Sequence, residues 1–224
     1  MPRDTLTREQ IVRAATELLD AEGLAGLNMR ALGQRLGSAA TAVYWHVGSK
    51  ENLLTLAGDL AWTEIPLPDA AAAGWRAAAR EMAAGLYAML TRHPWLVQAY
   101  GSVLVFGPGK ARHDDHALAI LEAAGFTPDQ ADEAAAILSA YVLGNALGPA
   151  AAAAAARRLG RDGRDAAQVT SENLARAKEI AARFPRLRAR LETPAAQTSV
   201  PPEGSFEIGV DAILDGLERR LAPG

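Results

Sequence analysis

Residues 41–50 read TAVYWHVGSK, and this stretch decides what kind of helical protein the chain forms. Small residues precede two bulky aromatic side chains, a histidine follows them, and Lys50 closes the stretch. Such a cluster suits a buried plug, the wall of a pocket, or a helix end pressed against a charged partner. The residues on either side favour the third interpretation.

The flanking sequence carries a local positive charge. No acidic residue occurs between Glu22 and Glu51, while Arg30, Arg35 and Lys50 fall within or at the edge of this interval. A helix that ends at Gly37, a tight turn and a short helix over about 39–46 have the spacing of a helix-turn-helix, whose second helix lies in the DNA major groove. The stretch is therefore a candidate recognition helix.

The residue types within that helix fit DNA contact. Small side chains at 40–42 allow close approach to base edges, and Tyr44, His46 and Lys50 can donate hydrogen bonds to phosphate oxygens. Residue types alone leave an alternative open, in which Tyr44 and Trp45 are core aromatics and His46 is an ordinary surface histidine.

The overall composition limits the function classes. The chain has 224 residues, of which 50% are hydrophobic and 22% charged, and its net charge is -3, so DNA binding requires a local patch. Because it has no cysteine, disulfides and thiolate metal sites are excluded. The polar N-terminus and the absence of a recognised apolar run of about 18 residues predict a cytoplasmic protein with no membrane partner.

Apolar residues recur at helical spacing along most of the chain, which predicts an all-α fold. Capping boxes at 7–10 and 127–130 begin two helices, and Gly148-Pro149 is expected to end the second of them. Residues 193–204, TPAAQTSVPPEG, are expected to form a loop. The prolines of IPLPD at 65–69 mark a boundary, so we predict a helix-turn-helix domain at 1–48, a connecting helix at 49–66, and a larger helical domain at 67–224.

Two long motifs resemble the DNA-binding domain of the tetracycline-repressor (TetR) family: REQIVRAATELLDAEGLAGLNMRALGQRLG at 8–37 and AVYWHVGSKENLL at 42–54. RHPWL at 92–96, LEAAGFTPDQA at 121–131, YVLGNALG at 141–148 and FEIGVDAILDGLERRL at 206–221 resemble the regulatory domain of the tetracycline repressors. The resemblance implies a homodimeric repressor that binds a palindromic double-stranded DNA operator and releases it when a small-molecule inducer binds.

The same resemblance assigns candidate DNA-binding residues. Residues 40–42 fall on the base-facing positions, and only Thr41 among them has a hydrogen-bonding side chain. Sequence recognition is therefore expected to depend on Thr41, on Arg30 from the preceding helix, and on DNA shape. The full set is Arg30, Ala40, Thr41, Ala42, Tyr44, Trp45, His46 and Lys50.

The ligand site is expected to differ from that of the drug-binding relatives. Tetracycline repressors hold a metal-chelated drug with a histidine and a glutamate, and these positions fall near Gly101 and on Gly148 here. The expected inducer is therefore metal-independent and largely apolar, with no cofactor. The candidate pocket residues are Met82, Leu86, Trp95, Tyr100, Phe106, Leu138, Tyr141 and Asn145.

By family pattern, the last helix and the helix ending at YVLGNALG pair with their copies in a partner subunit as a four-helix bundle. The apolar face of the last helix is broad, and its two glycines would allow close backbone approach. The candidate interface residues are Phe206, Gly209, Ile213, Gly216 and Leu217.

Two other function classes remain as alternatives. His113 and His116 could share a helix face and bind a metal, as in a metal-dependent helical enzyme, although no third ligand has a recognisable spacing. A helical interaction module without a DNA role is also possible, but it does not explain the acid-free interval from 23 to 50.

Overall fold

The computed structural model describes residues 6–101, 104–163, 165–191 and 204–221. These residues form twelve α-helices and contain no strand, which confirms the predicted all-α fold. The helices are α1 Arg8–Glu22, α2 Met29–Arg35, α3 Ala40–Val47, α4 Lys50–Trp62, α5 Ala70–Ala73, α6 Trp75–Arg92, α7 Pro94–Ala99, α8 Pro108–Ala123, α9 Pro128–Arg161, α10 Ala166–Ala181, α11 Pro185–Leu191 and α12 Ser205–Leu221.

The helices begin where the sequence places capping residues. Thr7 and Thr127 each form the predicted capping box, with a glutamine side chain returning to the cap backbone. Asn28 and Ser49 accept hydrogen bonds from the first turns of α2 and α4. These side chains satisfy backbone N–H groups that would otherwise have no partner, which fixes the helix starts.

Helices α1 to α3 form the predicted helix-turn-helix unit, and Gly33 sets the distance between α2 and α3. An added Cβ at Gly33 would lie 2.8 Å from the carbonyl oxygen of Ser38 and 3.1 Å from the backbone nitrogen of Ala40. The turn itself passes through Gly37 with a φ of 61°, a conformation that favours glycine. The angle at which α3 is presented therefore depends on two glycines.

Helix α9 is the centre of the larger helical part and contacts α6, α7, α8, α10 and α12. One hydrophobic cluster runs without interruption from Ile11 in α1 to Leu217 in α12. Helix α4 takes part in it through Leu53, Ala57 and Trp62, so the helix-turn-helix unit and the larger helical part share one core.

The prediction that Gly148-Pro149 ends a helix was wrong, because α9 continues through Pro149 to Arg161. Proline removes one helical hydrogen bond and normally kinks or breaks a helix. Here Leu138, Val142, Ala146 and Ala150 are buried at steps of four residues on both sides of the proline. Packing of this continuous face, together with the helix-favouring alanines that follow, holds both halves in one helix.

Uninterrupted α9 also corrects the expectation that no membrane-length apolar helix exists. By length and composition it could cross a membrane, with a mean hydropathy of 1.4 over its best window. A helix that packs inside a helical bundle passes the same test, and α9 buries one face against α6, α7 and α8. Much of its opposite face is apolar and exposed.

Helices α10 and α11 lie apart from the core. Neither helix has a buried residue, and within the described chain α10 packs mainly on α9 and α11. The loop expected at 193–204 falls, apart from Gly204, outside the described residues.

Candidate DNA-contact surface and ligand cavity

The aromatic side chains of α3 face outward. Trp45 is 83% exposed and Tyr44 is 47% exposed, whereas Val43 and Val47 supply the buried face of the helix. The alternative in which Tyr44 and Trp45 are core aromatics is therefore wrong. These two adjacent aromatic side chains therefore belong to the outer surface of the helix-turn-helix unit.

The other candidate DNA-binding residues lie on or beside this surface. Arg30 and Thr41 are exposed, and Ala40, Ala42, His46 and Lys50 are half-buried. Lys50 is the first residue of α4, directly after the turn at Gly48. Arg35 differs, since its guanidinium pairs with Glu17 at 2.6 Å and part of its charge is offset.

Helix α4 connects this surface to the larger helical part. It begins at Lys50 and ends with the buried Trp62, whose ring packs edge-on against His113 of α8 with centroids 4.8 Å apart. Lys110, also in α8, places its Nζ over the Trp62 ring, 4.9 Å from the ring centroid. The C-terminal end of α4 thus packs against α8.

Asp59 makes a second link between α4 and α8. Its carboxylate accepts hydrogen bonds from the backbone N–H groups of Gly109 at 3.1 Å and Lys110 at 2.9 Å. Helix α8 has no side-chain cap of its own, since Gly107 occupies the cap position. An added Cβ at Gly109 would lie 2.3 Å from the backbone oxygen of Asp59, so the FGPG turn needs glycine to approach α4.

A cavity of about 280 Å³ lies between α6, α8 and α9, close to the lower end of the size range of small-molecule sites. Its walls are mainly apolar and include Met82, Leu86, Leu118, Ile120, Leu121, Leu138 and Val142. Polar groups are contributed by His113, Asp114, Asp132 and Ser139. Among the described residues no lysine or arginine belongs to this lining, but Lys110 of α8 forms an ion pair with Asp114.

Three of the eight predicted pocket residues, Met82, Leu86 and Leu138, line this cavity. The other five do not belong to its lining. Trp95 is fully buried and donates to Asp20, Tyr100 is 42% exposed, and Phe106 is 58% exposed within the FGPG turn. Tyr141 donates toward the backbone of α12, and Asn145 donates to the backbone oxygen of Tyr141.

His113 and His116 do not converge on a common point. Nδ1 of His113 lies 3.3 Å from Asp114, whereas Nε2 of His116 donates to the backbone oxygen of Pro68 at 2.8 Å. Within the described ranges no group of three metal-ligating side chains is found. The geometry gives the metal-dependent enzyme alternative no support.

A polar junction around the buried rings of His93 and Trp95 joins α1, the end of α4 and α7; we call His93, Asp20, Glu64 and Trp95 the His93 junction. The ring of His93 bonds Asp20 through Nδ1 at 2.7 Å and Glu64 through Nε2 at 3.1 Å. Burial alone would lower the pKa of His93, but the two carboxylates raise it above its ordinary value. Trp95 also donates to Asp20, at 2.8 Å.

The predicted interface residues divide into two groups. Phe206, Gly209 and Leu217 are engaged within the chain: Phe206 stacks on Tyr87, Gly209 packs against Tyr141, and Leu217 is buried. Ile213 is half-buried against the same core, and an added Cβ at Gly216 would meet the guanidinium of Arg219 at 3.9 Å.

A different set of residues forms the outward apolar faces of α9 and α12. They were not singled out from the sequence, because their exposure depends on which face of each helix the core covers. They are Ile137, Ala140, Gly144, Leu147 and Ala151 on α9, with Ile208 and Ala212 on α12.

Sequence reasoning also missed Gly33, Asp59 and the α8 wall of the cavity. The position of Gly33, four residues before Gly37 in the helix-turn-helix, could have indicated that α2 and α3 approach each other closely at this residue. Asp59 gave no such signal, since its partners are 50 and 51 residues away.

Comparison with known proteins agrees with this arrangement. Residues 11–57 match the family described as bacterial regulatory proteins, tetR family, and residues 67–221 match the tetracyclin repressor-like C-terminal domain. The HTH-type transcriptional repressor DrrR1 of Streptomyces coeruleorubidus is 33% identical over 223 residues, which cover 99% of this chain and 80% of that protein.

Two further similarities extend over nearly the whole chain. The class C tetracycline repressor protein of Escherichia coli is 29% identical, with 96% of this chain and 91% of that protein covered. The structure of the Streptomyces coelicolor TetR family protein ActR in complex with actinorhodin has a TM-score of 0.76 at 30% identity and covers 97% of this chain and 98% of that one. The chain therefore belongs to the TetR family of transcriptional regulators and carries a tetracycline repressor-like C-terminal domain.

Proposed function

We propose that the protein is a ligand-responsive repressor that binds a palindromic operator as a homodimer and releases it when an apolar, metal-independent inducer fills the cavity. One observation carries this proposal: α4 begins at the DNA-contact surface and ends against α8, which forms a wall of the cavity. In this arrangement residues 1–48 bind DNA, 49–66 connect, and 67–224 bind the inducer and the partner subunit.

The exposed face of α3 supports the DNA-binding role. Thr41 supplies the hydrogen-bonding side chain at the base-facing positions, and Tyr44, His46 and Lys50 contact phosphates. Trp45 extends the same surface beyond the helix axis, where its indole packs on the sugar-phosphate backbone. Such a role places the protein in the cytoplasm and requires no catalytic activity.

The outward faces of α9 and α12 support a homodimer. The residues along α9 from Ile137 to Ala151 are small or apolar, and they recur at helical spacing on the side opposite the buried one. On α12, Ile208 is 71% exposed. Ion pairs from Asp211, Asp215 and Glu218 to Arg76 and Arg80 hold α12 against α6, and Ile208 stays exposed one turn before them.

The links between α4 and α8 support the regulatory role. An inducer that enters the cavity contacts α8, and α8 is bound to α4 through Asp59 and Trp62. A tilt of α4 changes the separation of the two recognition helices in the dimer, which must match major grooves about 34 Å apart. The inducer acts only if it binds the DNA-free arrangement more tightly than the DNA-bound one.

The test uses a duplex from the region flanking the protein's own gene, labelled for fluorescence anisotropy. Compounds that raise the melting temperature of the protein are added to the complex with excess chelator present. Release of the duplex by at least one of them is the expected result. Release that always requires a divalent metal would contradict the metal-independent site, and failure to bind any duplex more tightly than random DNA would contradict the repressor function.

A further inference from the structure

His93 lies at the corner between α6 and α7, and both nitrogens of its ring face carboxylates. Nδ1 lies 2.7 Å from Asp20 of α1, and Nε2 lies 3.1 Å from Glu64, two residues after the end of α4. Only 4% of the His93 side chain is exposed, so water does not compete for these contacts. One buried ring therefore holds the C-terminal ends of both α1 and α4.

A neutral imidazole cannot satisfy both contacts. It has one N–H group, its other nitrogen is an acceptor, and an ionised carboxylate only accepts. The protonated ring alone donates to Asp20 and Glu64 together. Loss of the proton leaves a nitrogen lone pair facing one of the two carboxylates, and that contact no longer stabilises the fold.

The contact with Glu64 is the weaker of the two. Asp20 lies nearer to the ring and also accepts from Nε1 of Trp95 at 2.8 Å, and its backbone oxygen accepts from Arg157 of α9 at 2.8 Å. Helix α1 therefore stays attached when the ring is neutral. Among the described residues, the other partner of the Glu64 carboxylate is Arg92, whose side chain is 62% exposed, and exposed ion pairs contribute little.

We propose that His93 is a positioning residue for DNA recognition, because its protonated ring fixes the C-terminal end of α4 and loss of the proton releases that end. Helix α4 begins at Lys50, directly after α3, so its release changes the orientation of the DNA-contact surface relative to the larger helical part. The inference rests on the proposed function only for the role of α3 in binding DNA. An operator fits one orientation, and a protein spread over several binds with an affinity lowered by the fraction that fits.

The charges around the ring set the direction of the pH response. Burial lowers the pKa of His93, but the hydrogen bonds and charges of Asp20 and Glu64 raise it above its ordinary value. The cations beside the junction are Arg92 and Arg157, and each is bonded to one of these two acidic residues. The end of α4 is therefore held at low pH and released as pH rises through the folded-state pKa.

The first experiment measures the orientation without DNA. Because the chain has no cysteine, Gln34→Cys on α2 and Ala119→Cys on α8, both at exposed positions, place two spin labels in one chain. Labelled chain is diluted with excess unlabelled chain, and pulsed dipolar spectroscopy is recorded below and above the pKa of His93, which NMR titration of its ring locates. The wild-type distance distribution should be narrow at low pH, and broader and shifted at high pH.

Glu64→Gln is the decisive variant, because its amide accepts from the protonated ring and donates to the neutral one. Its distance distribution should stay narrow at both pH values. His93→Asn should give the same distribution at both, since asparagine does not titrate. His116→Asn is the matched control, because Nε2 of His116 bonds the backbone oxygen of Pro68 away from the junction, and it should respond as wild type does.

The second experiment measures the anisotropy of a labelled duplex from the region flanking the protein's own gene at the same two pH values. Wild type should lose more affinity than Glu64→Gln as pH rises. A wild-type distance distribution that does not change with pH, or that changes equally in Glu64→Gln, would overturn the inference, and so would equal losses of affinity. Failure to bind any duplex while the distances still respond to pH would instead count against the proposed function alone.

Discussion

Replacing Asp59 with alanine removes the carboxylate that caps α8 from α4. Two backbone N–H groups, at 3.1 and 2.9 Å, lose their acceptor, and no side chain of α8 can take its place. Loss of an N-terminal cap costs about 0.5–2 kcal/mol, and the charged acceptor with two bonds puts Asp59 at about 1–2 kcal/mol. For a chain of this size the melting temperature should fall by about 2–8 °C.

The same substitution should weaken the response to inducer more than it weakens DNA binding, since it loosens the link between α4 and α8. Calorimetric unfolding at fixed protein concentration measures the first effect, and anisotropy of labelled operator with increasing inducer measures the second. Asp69→Ala is the control, because Asp69 caps only the four-residue helix α5. An Asp59→Ala protein with wild-type melting temperature and an unchanged inducer response would refute this account of the α4–α8 link.

Three further outcomes are expected. Lys50→Ala should weaken binding to all duplexes alike and lower the slope of log K against log salt concentration by about 1 for each phosphate that the protein no longer neutralises. Thr41→Ala should instead change the preference among DNA sites. Anisotropy at several salt concentrations distinguishes the two variants, and equal slopes for wild type and Lys50→Ala would contradict the phosphate contact of Lys50. Leu147→Glu should give monomers in sedimentation, whereas the control Ala119→Glu, on the exposed face of α8, should stay dimeric. A dimeric Leu147→Glu protein would rule out the outward face of α9 as the dimer interface. The pKa of His93 is raised in the folded protein, so protonated His93 stabilises the fold below the ordinary pKa of 6.5, and this contribution is lost as pH rises through the folded-state pKa. The free energy of unfolding in urea should therefore fall with rising pH in wild type and less steeply in His93→Asn. Parallel pH profiles of the two proteins would exclude the His93 junction as the cause.

Most helices could be predicted from short stretches of sequence. Capping residues such as Thr7 and Ser49 act on neighbours within three positions, so helix starts could be predicted one by one. The helix end predicted at Pro149 was wrong because proline acts locally, whereas the packing that keeps α9 continuous comes from α6, α7 and α8.

The site was less predictable for the same physical reason. The exposed aromatics of α3 became interpretable only through a family resemblance, since their residue types fit a core equally well. The wall that α8 gives to the cavity depends on its rotation about its axis, which is set by Asp59 and Trp62 of α4. Such long-range contacts leave no periodic trace in one sequence.

The outward indole of Trp45 gives the protein a built-in optical reporter. Trp62 and Trp95 are buried and Trp75 is half-buried, so their emission is shielded from quenchers in water to different degrees. Trp45, at 83% exposed, is the indole most open to iodide or acrylamide, and it stands on the face of α3 that meets the duplex. Docking of DNA covers this ring, so a drop in collisional quenching follows occupancy of the operator without any label on either molecule.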